Sequence, residues 1–163
     1  MILFTDTSAL VKLYVEEAGS AEMASRAAGA RMALSVLAYA EVHATFARRR
    51  REELFTPEEL AATVERFERE WQAVLRVAVS TEVLAFVPGL CQRHPLRGAD
   101  AVHLASALQL GKEGLETAFA TSDARLAKAA RAEGLEVFDP APPGDARAAG
   151  SAVPEDDANG NEK

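Results

Sequence analysis

The chain alternates between short apolar stretches and longer segments in which apolar residues recur at helical spacing. This alternation is typical of a parallel β-sheet with helices on both faces, and it constrains the fold more than any other feature of the sequence. The predicted strands are Ile2–Thr5, Met32–Ser35, Arg76–Val79, Thr117–Thr121 and Glu136–Phe138. Helices are predicted near Ser8–Val15, Ser20–Ala28, Val36–Arg51, Pro57–Leu75, Thr81–Arg93, Ala99–Leu110 and Asp123–Ala132.

The length and the end of the chain indicate one folded domain followed by a tail. A chain of 163 residues suits one well-buried domain and is short for two. From Ala141 onward the sequence reads APPGDARAAGSAVPEDDANGNEK and has almost no large apolar residues. Such a segment buries too little surface to offset its ordering entropy. We therefore expect a domain over residues 1–140 and a disordered acidic tail over residues 141–163.

Composition favours a soluble protein of a reducing compartment. Hydrophobic residues make up 48% and charged residues 26% of the chain, and Cys91 is its one cysteine. No basic stretch precedes the first apolar run, and Glu41 and His43 interrupt the best candidate for a membrane span. We expect a cytoplasmic protein without membrane contact. The net charge of −7 counts against nucleic-acid binding, but part of it lies in the tail, and bound divalent cations would reverse the sign of an acidic site.

Two aspartates follow predicted strands. Asp6 comes after the first strand, and Asp123 comes after the fourth in the similar stretch FATSDARL. Parallel strands joined by right-handed crossovers all end at one edge of the sheet, where ligands bind. Asp6 and Asp123 should therefore share that edge, and they should approach each other if their strands are neighbours.

Two further acids belong to the same edge. Glu41 lies in an apolar part of the helix that follows the second strand, and an unpaired buried carboxylate there would be costly. Asp100 opens the helix that leads into the fourth strand, and this helix starts at the carboxyl edge if it packs antiparallel to that strand. The placement of Asp100 requires that the Thr81–Arg93 helix cross the sheet or that the loop HPLRG travel back.

Each acid also has a structural interpretation. Asp6 and Asp123 could cap helices, Asp100 could complement a helix dipole, and Glu41 could pair with a buried arginine or with His43. Caps do not explain why four acids meet at one edge. Carboxylates so close would repel each other unless a cation intervened, and all-oxygen ligands favour Mg²⁺ or Mn²⁺. The residues favour metal-dependent phosphoryl chemistry over a purely structural role.

The ordered set of segments resembles the PIN-domain ribonucleases, and most closely the VapC-type toxins of bacterial type II toxin–antitoxin systems. The segments that carry the resemblance are DTSALVKLYVEEAGS, the helix with Glu41, RGADAVHLASAL, FATSDARLAKAA and EVFDP. The resemblance covers nearly all of residues 1–140. It implies a PIN-like three-layer α/β fold, in which helices flank a five-stranded parallel sheet.

The resemblance also implies a function and a set of site residues. It implies an endoribonuclease that depends on Mg²⁺ or Mn²⁺ and hydrolyses RNA with a metal-activated water. Asp6 and Asp100 would be the firmest metal ligands, and Glu41 and Asp123 would complete the shell. A supporting hydroxyl would come from Ser8, Thr121 or Ser122. The implied partners are the RNA substrate, a cognate antitoxin and a second copy of the chain in a homodimer.

Three other features have open interpretations. Arg48 lies about 10 Å along the helix from Glu41 on roughly the same face and could contact a neighbouring RNA phosphate. His103 follows Asp100 by one helical turn, a spacing that suits a shared metal but also simple packing or hydrogen bonding within the helix layer. An apolar stripe on the Pro57–Leu75 helix suits packing against the core or against a partner.

Competing functions make different predictions. A haloacid-dehalogenase-like phosphatase, another Mg²⁺-dependent phosphohydrolase, needs a second acid two residues after the first, where this chain has Ser8. A receiver domain needs an adjacent acid pair, which this chain lacks at the first strand. A non-catalytic PIN-like binding module would keep the acids only as helix caps, and it predicts no stabilisation by Mn²⁺ and no nuclease activity.

Overall fold

A computed structural model describes residues 1–141 and shows five parallel strands in a single sheet. The spatial order of the strands is β3-β2-β1-β4-β5, so that β1 lies at the centre between β2 and β4. All five strands end at the same edge of the sheet, which confirms the predicted α/β architecture. The strands are β1 (Ile2–Thr5), β2 (Arg31–Ser35), β3 (Leu75–Val77), β4 (Thr117–Ala120) and β5 (Glu136–Phe138).

Helices cover both faces of this sheet. A 3₁₀ turn over Val11–Leu13 continues the first short helix. Residues 142–163, which hold nearly all of the predicted tail, lie outside the described part of the chain. The helices are α1 (Thr7–Leu10), α2 (Ser20–Ala28), α3 (Leu37–Arg51), α4 (Pro57–Trp71), α5 (Thr81–Leu84), α6 (Val87–Arg93), α7 (Gly98–Lys112) and α8 (Ala124–Ala132).

The core is divided by the sheet because successive strand residues point to opposite faces. Ile2 and Phe4 pack with residues of α7 and α8, and the Phe4 ring stacks on that of Phe119 with 5.7 Å between centroids. Leu3 packs on the other face with Ala9 and residues of α2. Helices α3 and α4 extend that second face with an aromatic cluster. The result is three layers, with the central strand buried along its whole length.

The apolar stripe of α4 belongs to the protein's own core. Phe67 and Trp71 are buried against α3, and Leu60 and Val64 pack at the edge of the same cluster. The helix begins with a capping box, in which the Thr56 hydroxyl accepts from the Glu59 amide and the Glu59 carboxylate accepts from the Thr56 amide. The stripe was predicted to pack against the core or against a partner, and the structure shows it packed in the core.

Several helices differ from the sequence prediction at their ends. The predicted helix Thr81–Arg93 is two helices, α5 and α6, and the proline at position 88 lies at the start of the second. The predicted helix Pro57–Leu75 ends four residues earlier because Leu75 pairs with Ala33 as the first residue of β3. Both α5 and α6 pack against α7. Through these two helices the chain returns to the carboxyl edge of the sheet, where α7 begins and Asp100 lines the cleft.

Gly19 marks a close approach of the backbone to the end of the domain. It has a φ of +88°, and a Cβ atom placed there would lie 2.5 Å from the carbonyl oxygen of Pro140. Only glycine adopts this conformation readily, and only glycine leaves room for that carbonyl. The residue thus joins the start of α2 to the segment that follows β5.

No helix within residues 1–141 is both long enough and apolar enough to cross a membrane.

Candidate active site

An open cleft of about 370 Å³ lies at the carboxyl edge of the sheet, where β1 and β4 end. All four acids predicted from the sequence line it, although they come from four different elements. Strands β1 and β4 are neighbours, as the proximity of Asp6 and Asp123 requires. The cleft is lined by Asp6, Thr7, Ser8, Val11, Lys12, Glu17, Glu41, Thr45, Arg48, Arg49, Asp100, His103, Ser122 and Asp123.

Asp6 is the most buried acid of the cleft, with 5% of its surface exposed. It follows β1 directly and caps α1, because its Oδ1 accepts from the amide of Ala9 at 3.0 Å. Burial raises the pKa of Asp6, and the hydrogen bonds that it accepts oppose this only in part. A buried carboxylate of this kind is stabilised by a nearby cation, so the cap and a metal ligand are compatible roles.

Two of the three predicted hydroxyl groups hold the Asp6 carboxylate. The Ser8 hydroxyl lies 2.8 and 2.9 Å from its two oxygens, and Thr121 donates to Oδ2 at 2.9 Å. Ser8 also accepts from the amide of Ser122 at 2.9 Å, and Thr121 accepts from the amide of Asp123 at 3.0 Å. These bonds join the ends of β1 and β4. The Ser122 hydroxyl, by contrast, is buried and has no partner within residues 1–141.

Glu41 lies in the second turn of α3, and its Oε2 accepts two hydrogen bonds. His103 Nε2 lies 2.7 Å from it, and the Thr7 hydroxyl donates to the same oxygen. Burial raises the pKa of Glu41, but the bonds from His103 and Thr7 outweigh burial and hold this pKa below its usual value. Glu41 is therefore ionised at neutral pH. Its partner is neither a buried arginine nor His43, because His43 contacts Glu68 instead.

The remaining two acids sit at helix starts. Asp100 is the third residue of α7, and its Oδ2 accepts from the amide of Arg97 at 3.1 Å. Asp123 caps α8 by accepting from the amides of Arg125 and Leu126 at 2.8 and 3.1 Å. Burial raises the pKa of Asp123, yet those amides and the Arg125 guanidinium outweigh it and leave the pKa lowered. Each of these two carboxylates thus caps backbone amides at the start of a helix and also lines the cleft.

Three cations also line the cleft, and two of them lie on α3, the helix that carries Glu41. Arg48, the predicted RNA contact, lies there and is largely exposed, 3.9 Å from Glu52. Arg49 contacts the Glu17 carboxylate, which also accepts from the buried Lys12 at 2.9 Å. Burial raises the pKa of Glu17, but the two cations lower it overall. These cations keep a positive charge beside the acids, because Glu17 offers one carboxylate to both Lys12 and Arg49.

The donor set of the cleft fits a hard divalent cation in its chemistry. All four acids supply oxygen ligands, which Mg²⁺ and Mn²⁺ prefer. Glu41 Oε1 and Asp100 Oδ1 accept no hydrogen bond within residues 1–141, and Asp6 is buried and desolvated. In the same part of the chain, no three His, Cys, Asp or Glu side chains already form a group that could hold a metal ion. Within residues 1–141, the acids therefore line one cleft, but their side chains are not arranged as a metal-binding group.

Residues 3–132 match the PIN domain, which accounts for most of the chain. The chain belongs to the PIN-domain family. It is 41% identical over 137 residues to Ribonuclease VapC45 of Mycobacterium tuberculosis (strain CDC 1551 / Oshkosh), an alignment that covers 83% of this chain and 94% of that protein. Ribonuclease VapC49 of strain ATCC 25618 / H37Rv gives the same values. These relatives confirm the VapC-type resemblance. A PIN domain is a different family from the haloacid-dehalogenase-like phosphatases and the receiver domains, which sets those two alternatives aside.

Solved structures share the fold at low sequence identity. FitAcB from Neisseria gonorrhoeae superposes with a TM-score of 0.61 at 20% identity, covering 86% of this chain and 98% of that one. VapBC2 from Rickettsia felis, bound to a promoter DNA fragment, gives a TM-score of 0.61 at 13% identity, covering 85% and 98%. A toxin–antitoxin complex from Klebsiella pneumoniae gives 0.58 at 18% identity, covering 86% and 98%. These structures confirm the PIN-like sheet with flanking helices.

Sequence reasoning missed part of the site. Two roles were predicted for His103, as a metal ligand or as a packing or hydrogen-bonding residue of the helix layer. The structure shows it hydrogen-bonded to Glu41, a partner that was not predicted. Thr7, Lys12 and Arg49 were not predicted. Thr7 stands between two predicted site residues, and Arg49 stands beside Arg48, so their positions in the chain were the available signals.

Proposed function

We propose that the chain is an endoribonuclease that requires Mg²⁺ or Mn²⁺, hydrolyses RNA phosphodiester bonds and acts as the toxin of a toxin–antitoxin pair. The observation that carries the proposal is the meeting of four acids from four elements in one cleft, among them the buried Asp6. The 41% identity to two proteins named ribonucleases supports the choice of RNA as substrate.

In this proposal Asp6 and Asp100 hold the metal ion, and Glu41 and Asp123 complete its surroundings directly or through water. When bound, a divalent ion would lower the pKa of a water molecule bound to it and neutralise negative charge on the phosphate. Ser8 and Thr121 fix the orientation of the Asp6 carboxylate through the hydrogen bonds described above. Glu41 is ionised, and its Oε1 accepts no hydrogen bond within residues 1–141, so it can take a proton from an attacking water.

The cations that line the cleft supply the phosphate contacts. Arg48 is exposed and only loosely paired with Glu52, so binding a phosphate would cost it little. Arg49 and Lys12 are less free because both contact Glu17. We assign the direct phosphate contact to Arg48, with the other two holding a positive potential in the cleft.

Cleavage of total bacterial RNA by the purified chain tests the proposal. Discrete fragments should form with Mg²⁺ or Mn²⁺, disappear with EDTA and disappear in an Asp100→Asn variant. A Glu116→Gln variant is the matched control, because Glu116 lies exposed beside β4 at the opposite end of that strand from Asp123. Cleavage that persists in EDTA would contradict the metal requirement, and cleavage that persists in Asp100→Asn would contradict the site.

A second function has one observation in its favour. Every acid of the cleft has a structural role as a cap or an ion-pair partner, and no three of them form a ready metal-binding group within residues 1–141. A non-catalytic PIN-like binding module would look the same. Thermal melting with Mn²⁺ separates the two functions, because an ion that binds only the folded chain raises its melting temperature.

Protein partners are part of the proposed function. The solved structures with this fold include complexes described as toxin–antitoxin and VapBC assemblies, and they support a cognate antitoxin as a partner. We propose that this antitoxin covers the cleft. We also propose that the chain forms a homodimer. Addition of one equivalent of the antitoxin should abolish RNA cleavage, and light scattering of the free chain should give twice the mass of one copy.

A further inference from the structure

Helix α8 carries a concentration of positive charge that the catalytic cleft does not use. Its sequence, ARLAKAARA, holds three cations and no acid, in a chain whose net charge is −7. Arg125, Lys128 and Arg131 follow each other at intervals of three residues and are all exposed, so they lie along one side of the helix. We call these three residues the α8 basic face.

A second element places two basic side chains beside this face. Arg93 and His94, at the end of α6, line a cleft of about 420 Å³ together with Arg125 and Lys128. Both side chains contact Glu133, whose carboxylate accepts two bonds from Arg93 at 3.0 Å and one from His94 at 2.7 Å. Basic side chains from α6 and α8 thus line this second cleft, and no acid within residues 1–141 does.

The charges of the α8 basic face are poorly compensated inside the protein. Arg125 contacts Asp123 at 3.3 Å, but Lys128 and Arg131 have no carboxylate within 4.0 Å among residues 1–141. Like charges one helical turn apart repel each other. Packing gives no reason for this arrangement, since both side chains are exposed. A polyanion bound along the helix would relieve the repulsion.

The α8 basic face begins at the catalytic edge. Asp123, which lines the first cleft, is the N-cap of α8. Lys128 follows Asp123 by about 8 Å along the helix axis and Arg131 by about 12 Å. A chain of phosphates that passes the acids at one point would thus meet cations at successive turns of α8. Arg48 also lines the first cleft, on α3, the helix that carries Glu41.

We propose that the α8 basic face, with Arg93, binds the backbone phosphates of single-stranded RNA on one side of the bond that is cut. This proposal rests on the proposed ribonuclease function and adds the path that the substrate takes. Contacts of this kind go to phosphates and carry no base information, so they set affinity and position without selecting a sequence. Arg48 would contact the strand on the other side of that bond.

The test measures binding of a fluorescein-labelled 20-nucleotide single-stranded RNA of mixed sequence, in Mg²⁺, by fluorescence anisotropy over a salt series. All proteins carry Asp6→Asn, which prevents cleavage during the measurement. The test variant adds Lys128→Ala and Arg131→Ala. The matched control adds Arg31→Ala and Arg69→Ala, two exposed arginines, one at the opposite edge of the sheet and one on α4, so that both variants lose two positive charges.

Each phosphate contact to a single strand contributes about 0.7 to the slope of log Kd against log salt, or about 5-fold in affinity at 0.1 M salt. We expect the α8 variant to bind about 25-fold more weakly, with a slope lower by about 1.4, and the control to change less than 3-fold. Equal losses in the two variants would overturn the proposed path and leave the ribonuclease proposal intact. Failure of the Asp6→Asn parent to bind this RNA would likewise overturn the proposed path, whereas the cleavage assay with the wild-type chain decides the ribonuclease proposal.

Discussion

His103 and Glu41 stand 62 positions apart in the sequence, yet His103 Nε2 lies 2.7 Å from Glu41 Oε2 and ties α7 to α3 above the end of the sheet. His103 is almost completely buried, and its Nδ1 has no hydrogen-bond partner within residues 1–141. A proton on Nδ1 would be an unsatisfied buried donor, so the arrangement assigns the ring proton to Nε2. His103 therefore holds one oxygen of Glu41 and leaves the other available to the cleft.

Removal of His103 should loosen Glu41 and lower activity. A His103→Ala variant loses the main bond that offsets burial of the Glu41 carboxylate, so the pKa of Glu41 should rise. We expect a loss of about 1–3 kcal/mol in the free energy of unfolding and at least a 10-fold lower rate of RNA cleavage. His103→Gln, which restores an N–H donor, should recover part of the rate. His43→Ala removes a more exposed histidine–glutamate contact and should change neither quantity much, and an equal effect there would contradict the positioning role.

The ionised Asp6 side chain should lower the free energy of unfolding of the domain, although the proposed activity requires it. Its pKa is raised by burial, so the ionised side chain is worse accommodated in the folded chain than in the unfolded one. Asp6→Asn keeps an acceptor for the Ala9 amide and removes the charge. We expect it to abolish cleavage while raising the free energy of unfolding at pH 7, which thermal or urea unfolding measures.

The pH dependence of this gain has a definite sign. A raised pKa in the folded chain means that wild-type stability falls as pH rises from the unfolded value, near 4, through the folded value. The melting temperature of Asp6→Asn relative to wild type should therefore increase over that window and stay constant above it. A difference that is independent of pH would show that Asp6 titrates equally in the two states. Thr121→Val, which removes a donor to Asp6, should destabilise the domain instead.

Gly19→Ala should destabilise the domain without touching the cleft. The new Cβ would lie 2.5 Å from the Pro140 carbonyl oxygen, at a φ of +88°. We expect a loss of about 2–4 kcal/mol in the free energy of unfolding, from backbone strain and overpacking together. Gly111→Ala is the matched control, because it lies in α7 with no atom within 4 Å of the added Cβ, and it should stabilise the domain by about 0.5–1 kcal/mol. Urea unfolding of both variants checks the pair.

A divalent ion should stabilise the folded chain through the four acids. At a Mn²⁺ concentration 100-fold above its Kd, the gain in the free energy of unfolding is about 2.7 kcal/mol. Asp100→Asn should remove most of this gain, whereas Glu116→Gln, at an exposed acid far from the cleft, should keep it. Thermal melting over a Mn²⁺ series measures the three proteins side by side. A wild-type chain that shows no stabilisation would favour the non-catalytic binding module.

Features that depend on local pattern were predictable from the sequence. The central strand β1 and the start of α8 at Asp123 follow from apolar runs and a capping residue, and the structure confirms both. The proximity of Asp6 and Asp123 followed from the rule that parallel strands end at one edge, once their strands proved to be neighbours. The clustering of the four acids could be predicted because each of them stands close to the start of a helix.

Features that depend on contacts between distant segments were not predictable. The bond between His103 and Glu41 joins two helices on opposite faces of the sheet, and no periodicity within either helix specifies it. The burial of Lys12 against Glu17 depends on the 3₁₀ turn after α1, which replaces the second half of the predicted helix Ser8–Val15. The division of Thr81–Arg93 into α5 and α6 was signalled by its proline, but the chain direction between the two helices depends on packing against α7.

The most direct test is the rate of RNA cleavage in MnCl₂ by wild type and by four single variants, Asp6→Asn, Glu41→Gln, Asp100→Asn and Asp123→Asn, with Glu116→Gln as the control. All the proteins should be purified free of antitoxin, and their folding should be checked by circular dichroism. We expect wild type and Glu116→Gln to cleave at equal rates and each of the four variants to lose at least about 100-fold. Metal-dependent cleavage that survives all four substitutions would contradict the assignment of these acids to the active site.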